Sequence, residues 1–449
     1  MNAKPAALEQ PSAVEMTLDD ALAYALRLQQ EGRVEGAVQL YARILEQAPN
    51  HMDALHFLGL ARFQLGDGEA AVDLIRRAIA LKPDVAGAHN NLGNVLKCLE
   101  RFADAAQAYH RVIELDPANA DAHNNLGALL RAEGKVAEAE TVLRRALALQ
   151  PRHADALHNL GNVLVELKRD NEAADMYIQA VRLRPYDAEN YLRFAKALYG
   201  LKREQEALEV YEKWLEIEPD SCEAQHMVAA ASGRNIPRRA SDAYVQRTFD
   251  QFAESFDQVL QRLEYRAPQL LVDLVAQVVG PGQGKLDVLD AGCGTGLCGP
   301  LLKAWAHHLV GVDLSPQMVE KARLREVYDH LVVGELTAYL AQHPAAYDLV
   351  ISADTLCYFG ALTAVLAAGA VCLRPTGLLG FTVEKAAEPD APDGYHMQFH
   401  GRYSHSEPYI RRVLTGAGLE PVALETAVLR LERQEPVHGL VVLAAKTAV

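Results

Sequence analysis

The sequence predicts two architectures in one chain. An all-α solenoid of stacked helical pairs comes first, and an α/β domain with a mostly parallel sheet and a C-terminal antiparallel hairpin follows. Three observations predict them. A 34-residue period runs through the first half. After residue 231 that period stops, and apolar runs of strand length alternate with helical stretches. One of those runs ends in Gly292-x-Gly294-x-Gly296. The expected boundaries are 17–231 for the solenoid, 232–243 for a linker and 244–449 for the α/β domain.

The period is carried by several residue types at once. Proline falls at 49, 83, 117, 151, 185 and 219, and alanine at 37, 71, 105, 139, 173 and 207. Leu-Gly pairs recur at Leu58-Gly59, Leu92-Gly93, Leu126-Gly127 and Leu160-Gly161. Tyr41, Tyr109, Tyr177 and Tyr211 share a further register. Each unit reads as two amphipathic helices. The small residues mark where paired helices approach closely, because a larger side chain would push the axes apart. The proline follows the second helix, where it stops the helical hydrogen bonding. One such unit cannot bury its apolar face alone, so stacking supplies the core.

These residues resemble the tetratricopeptide repeat, in six copies over about Thr17–Asp220. The first and sixth copies depart from the pattern, with Ala25 and Ala195 in place of the glycine. Ser221–Ala231 reads as a closing helix over the last apolar face. Asn91, Asn125 and Asn159 share one position on the first helix of copies three to five, and Asn94 and Asn162 share another three residues on, on the same face. This arrangement is similar to the asparagine ladder of the superhelix in O-linked N-acetylglucosamine transferases. The resemblance implies a groove that grips a protein or peptide backbone, since an amide both donates and accepts. The alternative is that these asparagines merely cap or solvate the helix face.

Composition narrows the class. The chain has 44 Lys and Arg against 59 Asp and Glu, a net charge of −15. That balance argues against a nucleic-acid binder, which needs a basic stripe. The six cysteines, at 98, 222, 293, 298, 357 and 372, show no structural-zinc spacing and fit a reducing cytoplasm. No stretch of about 18 apolar residues occurs, so no membrane span is expected. The opening MNAKPAALEQPSAVEM lacks the apolar core of a signal peptide.

In the second half, SGRNIPRRASD (232–242) is a composition break that reads as the linker. Candidate strands are Leu286–Asp290, Leu309–Asp313, Leu331–Val333, Tyr347–Ser352 and Leu378–Val383. Ala423–Leu431 and Gly439–Ala445 flank RQEPVH as the terminal hairpin. In KLDVLDAGCGTGLCGP (285–300) a buried strand runs into the glycine turn, and glycines let the backbone approach a ligand. The dinucleotide fingerprint wants G-x-G-x-x-G, and here the third glycine comes one residue early, with Leu297 in its place. Asp290 would repel a pyrophosphate and suits a ligand bearing an ammonium and a sulfonium. Asp313 ends the next strand, where a carboxylate can take both ribose hydroxyls.

With these motifs, residues 244–449 resemble a class I S-adenosylmethionine-dependent methyltransferase, a Rossmann-like fold. The pairing with tetratricopeptide repeats is similar to a bacterial family of predicted repeat-containing methyltransferases, on the cues FDQFAESFD (249–257), ADTLCYFG (353–360) and GRYSHS (401–406). The resemblance implies that Asp290, Gly292, Gly294 and Gly296 form the first cofactor motif. It puts Asp313 on the ribose, Leu314 against adenine and Glu335 near the adenine amino group. Asp354 would face the methionine end or the acceptor, or else cap a helix. Phe249, Phe252 and Phe256 would close over the cofactor and shape the acceptor pocket, or pack as core.

The acceptor site is expected in DGYHMQFHGRYSHSEPY (393–409), beyond the carboxyl end of the fifth strand. His400 or His405 would serve as base and Arg402 as a fork for a carboxylate or phosphate. Alternatively Arg402 and His405 are structural, pairing with acids or capping the next helix, or the histidines hold a metal. No Asn/Asp-Pro-Pro-Tyr motif occurs, so methylation of planar amino groups loses weight. The expected function is a methyltransferase whose repeats recruit a protein or carrier-bound acceptor. The competing reading is an interaction scaffold with a cofactor-binding but non-catalytic fold.

Overall fold

A computed structural model describes residues 16–386, 393–432 and 435–447. The amino-terminal stretch through residue 15 and residues 433–434 of the RQEPVH sequence lie outside the described residues. The chain divides into two compact units, Met1–Glu206 and Ala207–Val449. Among the described residues no helix is long and apolar enough to cross a membrane.

The first unit is built of helical pairs. They are α1 Leu18–Gln30 with α2 Val34–Gln47, α3 Met52–Gln64 with α4 Gly68–Leu81, and α5 Ala86–Cys98 with α6 Phe102–Leu115. α7 Ala120–Ala132 pairs with α8 Val136–Leu149, α9 Ala154–Glu166 pairs with α10 Asp170–Leu183, and α11 Ala188–Gly200 follows. The register alanines Ala37, Ala71, Ala105, Ala139 and Ala173 are fully buried. A Cβ added at Gly93 would sit 2.6 Å from the Tyr109 ring, and one at Gly161 would sit 2.5 Å from the Tyr177 ring. The Leu-Gly signal therefore marks the points where a first helix lies directly on the large residue of its partner.

One position of the period escapes a hydrophobic reading. The turn inside each pair needs a left-handed residue, supplied by Gly32, Gly66 and Gly134 and by the non-glycines Glu100, Lys168 and Lys202. The asparagine register has a lateral role. Asn91 Nδ2 meets His56 Nε2 at 3.0 Å, Asn125 Nδ2 donates to Asn90 at 3.0 Å, and Asn159 Nδ2 donates to Asn124 at 2.9 Å. Each bond joins the first helices of neighbouring pairs. The Asn94 and Asn162 amides accept from the Tyr109 and Tyr177 hydroxyls at 2.7 and 2.8 Å.

The second unit holds the last repeat helix α12 (Glu204–Ile217) from residue 207 onward, and α13 (Cys222–Ser232), capped by Ser221. Helices α14 (Asp242–Phe252), α15 (Phe256–Arg262) and α16 (Ala267–Val279) precede the sheet. The sheet then alternates with helices: β1 Leu286–Ala291, α17 Gly299–Leu302, β2 Ala306–Asp313, α18 Pro316–Arg323, β3 His330–Val333, α19 Leu336–Gln342 and β4 Tyr347–Ser352. After α20 (Thr363–Cys372) come β5 Leu373–Lys385, β6 Tyr395–Met397, β7 Tyr403–His405, α21 Glu407–Gly416, β8 Leu419–Glu432 and β9 Glu435–Lys446.

The strand order begins β3-β2-β1-β4-β5, all parallel, and β9 pairs antiparallel with both β5 and β8. Neighbouring residues of β1 point to opposite faces. Leu289 joins the core under α19–α21, and Val288 joins the core under α16. The expected strands form, several of them longer. The short β6–β7 hairpin, read from the sequence as loop, pairs with the end of β5 through Glu384–Ser404 and Lys385–His405.

Replacing Gly161 by Ala should destabilise the chain. The rigid, fully buried Tyr177 cannot yield, so overpacking of about 1–3 kcal/mol outweighs a helix-propensity gain of about 1 kcal/mol. Gly87→Ala, with nothing within 4 Å of the added Cβ, should cause no loss. Urea unfolding of both variants checks the contrast.

Candidate functional site

Where β1, β2, β3 and β4 end, four loops converge on one pocket. Its floor includes Gly292, Gly294, Asp313, Leu314, Glu335 and Asp354. Its cover comes from α14, α15 and the segment before them, including Arg239, Asp242, Phe249 and Phe256. The fold thus brings six of the eight sequence-predicted cofactor residues to one wall. Asp290 and Gly296 are not part of that lining.

Asp290 is 1% exposed, and its Oδ2 accepts from the Tyr328 hydroxyl at 2.6 Å. Its Oδ1 is buried with no hydrogen-bond partner among the described residues. Burial lifts this carboxyl to about 7, against the Tyr328 hydrogen bond. The three glycines of the turn are left-handed, with φ of +80°, +52° and +85° at residues 292, 294 and 296. At Gly292 an added Cβ would collide with Thr355 at 2.1 Å. At Gly294 it would meet nothing nearer than the Phe256 ring at 3.9 Å, so the backbone there is bare toward the pocket. Asp313 Oδ2 accepts from Gly294 N–H and Oδ1 from Ser315 N–H, both at 2.9 Å. Burial lifts the Asp313 carboxyl, and those N–H donors oppose the shift. Glu335 caps α19, accepting from Thr337 N–H at 3.0 Å and Ala338 N–H at 2.7 Å.

The cover is fastened by carboxylates. Asp250 accepts from the Ser315 hydroxyl and Asp257 from the Thr295 hydroxyl, both at 2.5 Å, and Asp257 also pairs with Arg325. Phe249 packs edge-on to Phe256 at 5.9 Å and to Tyr358 at 5.4 Å. Phe252 is 43% exposed and lies off the pocket wall. The chain breaks helix between Phe252 and Phe256, so the three rings do not share one helical face.

The acceptor-loop residues take a different position from the expected one. His400, Arg402 and His405 do not line the pocket. His405 is fully buried and its Nε2–H donates to the Gly360 carbonyl at 3.1 Å. Burial holds its imidazole down at about 4, against the backbone carbonyls. Burial and the Arg402 charge hold His400 at about 4 as well, so both rings are neutral at pH 7. Arg402 donates to Glu384 at 2.6 Å and also binds Glu432. It is therefore part of a buried ion cluster rather than a free fork.

The centre of that cluster is Arg430, which sequence reading passed over. It is 3% exposed and donates to Asp354 and Glu432, each at 2.7 Å, and to Glu384. Burial alone would raise Glu384, yet Arg402, His400 and Arg430 hold it down at about 2. Asp354 is raised by burial and opposed by the Arg430 charge. It also carries a left-handed φ of +52°, a backbone cost kept only where surroundings fix it. Among the pocket residues, Asp354 joins this cluster to the pocket wall. The only sequence signal for Arg430 is an arginine set between two leucines, Leu429 and Leu431.

The pH dependence of stability should carry the signature of Asp290. Its folded value is raised above 3.8, so its contribution is complete in acid and falls away as pH rises from about 4 to about 7. The loss is at most about 4 kcal/mol. Asp290→Asn should flatten that part of the profile, measured by denaturant unfolding at pH 5 and pH 8.

Comparisons with known proteins agree with this geometry. Residues 288–377 match the methyltransferase domain family, and residues 28–92, 99–130, 118–185 and 158–221 match tetratricopeptide repeat families. Methyltransferase-like protein 27 of Homo sapiens is 40% identical over 24% of this chain and 43% of its own length. The 18S rRNA (guanine-N(7))-methyltransferase of Bos taurus is 32% identical over 18% of this chain and 36% of its own. The malonyl-[acyl-carrier protein] O-methyltransferase of Acetivibrio thermocellus is 29% identical over 31% and 48%. The chain spans less than half the length of each of these relatives. With a glycine turn, two strand-end carboxylates and a fastened cover around one pocket, this chain carries a methyltransferase domain behind an array of tetratricopeptide repeats.

Proposed function

We propose that the chain is an S-adenosylmethionine-dependent methyltransferase whose repeats recruit a protein or carrier-bound acceptor. The observation that carries this reading is the convergence of Gly292, Gly294, Asp313 and Asp354 on one covered pocket. Two features fit the cofactor. The Asp290 Oδ1 is a buried acceptor without a partner among the described residues, which suits an ammonium nearby. Gly294 offers backbone with no side chain in the way. S-adenosylmethionine supplies a methyl group activated on a sulfonium.

The residues of this chain supply the rest. Asp313, held by two N–H donors, presents its remaining lone pairs to a ribose diol. Leu314 offers an apolar edge to adenine, with Glu335 beside it. Phe249, Phe256 and Tyr358 exclude water and align the reacting groups, which in-line displacement needs most. Asp354, gripped by Arg430, keeps its carboxylate fixed at the acceptor side. His400, Arg402 and His405 act on the site through Glu384 and the backbone of Gly360, not by touching the acceptor. Asn91, Asn125 and Asn159 are half-buried, and their ladder gives the repeats a polar stripe for a peptide partner. A relative named for a carrier-protein substrate supports a carrier-bound acceptor, and one named for guanine in rRNA favours a different one.

Calorimetry with S-adenosylmethionine should show binding, weakened about tenfold or more in Asp313→Ala, because a charge-assisted hydrogen bond contributes about 1.5–3 kcal/mol. Asp354→Asn should bind nearly as wild type and transfer more slowly. Labelled methyl groups, followed into protein and small-molecule fractions of a lysate, test transfer itself. Binding without transfer to any fraction would favour the scaffold reading.

A further inference from the structure

The segment between the closing helix and the cover does not behave as a tether. Arg238 O accepts from Gly360 N–H at 2.9 Å and from Ala361 N–H at 2.8 Å. Ala240 N–H donates to Tyr358 O at 2.8 Å, and Arg239 forms an antiparallel bridge with Phe359. The connector is thus stitched along the loop that follows β4, the loop that carries Asp354. The Arg239 side chain reaches the pocket wall, 2.5 Å from Asp242, 3.5 Å from Glu335 and 5.9 Å above the Phe359 ring.

The same connector is pinned from its other side. The Tyr403 hydroxyl donates to Pro237 O at 2.7 Å. Tyr403 belongs to β7 and packs with Met397 against Ala229 and Ala230 of α13. His226 of α13 stacks on Tyr244 at 3.8 Å and donates to Gly401 O at 2.8 Å. Gly401 has φ +87°, and an added Cβ would meet the His226 ring at 3.1 Å. The closing helix, the β6–β7 hairpin and the connector therefore share one packed seam inside the second unit.

We propose that Arg239 is a positioning residue of the transfer site and that Tyr403 sets its place. The guanidinium ties the cover, through Asp242, to Glu335 on the opposite side of the pocket. Its backbone cannot shift without breaking the bonds to 358–361, and the Pro237 pin couples it to the surface on which α13 sits. The connector becomes a wall of the site, and the closing helix α13 helps to hold that wall. This proposal rests on the reading that the pocket takes an S-adenosyl cofactor.

The test uses the full chain, with S-adenosylhomocysteine as probe in calorimetry and hydrogen exchange as an independent readout. Tyr403→Phe should speed exchange at the Ala240, Gly360 and Ala361 amides by about tenfold and raise the probe Kd, since it removes one buried hydrogen bond. Arg239→Gln should raise the probe Kd by about tenfold with those amides unchanged, and Arg239→Lys should recover part of the loss. The double variant should lose less than the two single effects multiplied. Arg234→Gln, at an exposed pair with Glu212, should match wild type in both readouts. Wild-type exchange in Tyr403→Phe, or an unchanged Kd in Arg239→Gln, overturns the proposal. Absence of probe binding in the wild type defeats the cofactor reading instead, and the exchange arms still judge the pinning of the connector.

Discussion

A guanidinium buried to 3% exposure constrains the rest of the second unit. An unpaired charge at that depth costs several kcal/mol, so Arg430 can lie there only if carboxylates surround it. Three do, and they come from three places: Asp354 after β4, Glu384 at the end of β5 and Glu432 at the end of β8. The terminal hairpin, the central sheet and the pocket wall must therefore take up their positions together. Arg402, just before β7, adds a second cation and binds two of the same acids. The cluster accounts for the strained backbone of Asp354, because its carboxylate is fixed by a partner that cannot move.

The polar residues of the 393–409 segment follow from this requirement. A short hairpin added to the end of β5 brings Arg402 to Glu384 and buries His405 against the Gly360 carbonyl. It also presents Met397, Tyr403 and the Gly401 carbonyl to α13. The segment links the closing helix to the ion cluster behind the pocket. His400 lies 3.5 Å from Glu384 and His405 donates to the Gly360 carbonyl, both rings neutral at pH 7.

In the solenoid the limiting condition is distance. Glycine at the crossing lets a first helix rest on a tyrosine or leucine of its partner. The tyrosine hydroxyl then needs an acceptor in the dry interior, and the asparagine one residue beyond the glycine in the third and fifth copies supplies it. The neighbouring asparagine register joins adjacent first helices, so a polar row also fixes the spacing of the stack.

Sequence alone determined the elements whose chemistry is local or periodic. The 34-residue register fixed the helical pairs, because small, large and helix-breaking residues recur where geometry demands them. The glycine turn and Asp313 at the end of β2 marked part of the pocket wall, because a bare backbone and a carboxylate at a strand terminus are local features of the sequence. Tertiary structure alone decided what depends on residues far apart in the chain. Arg430 lies 76 positions from Asp354, and Tyr403 lies 166 from Pro237. No pattern along the sequence couples such pairs. For the same reason the composition break at 232–242 reads from the sequence simply as a linker: its hydrogen bonds go to the 358–361 loop and to β7, which only the folded sheet brings alongside it.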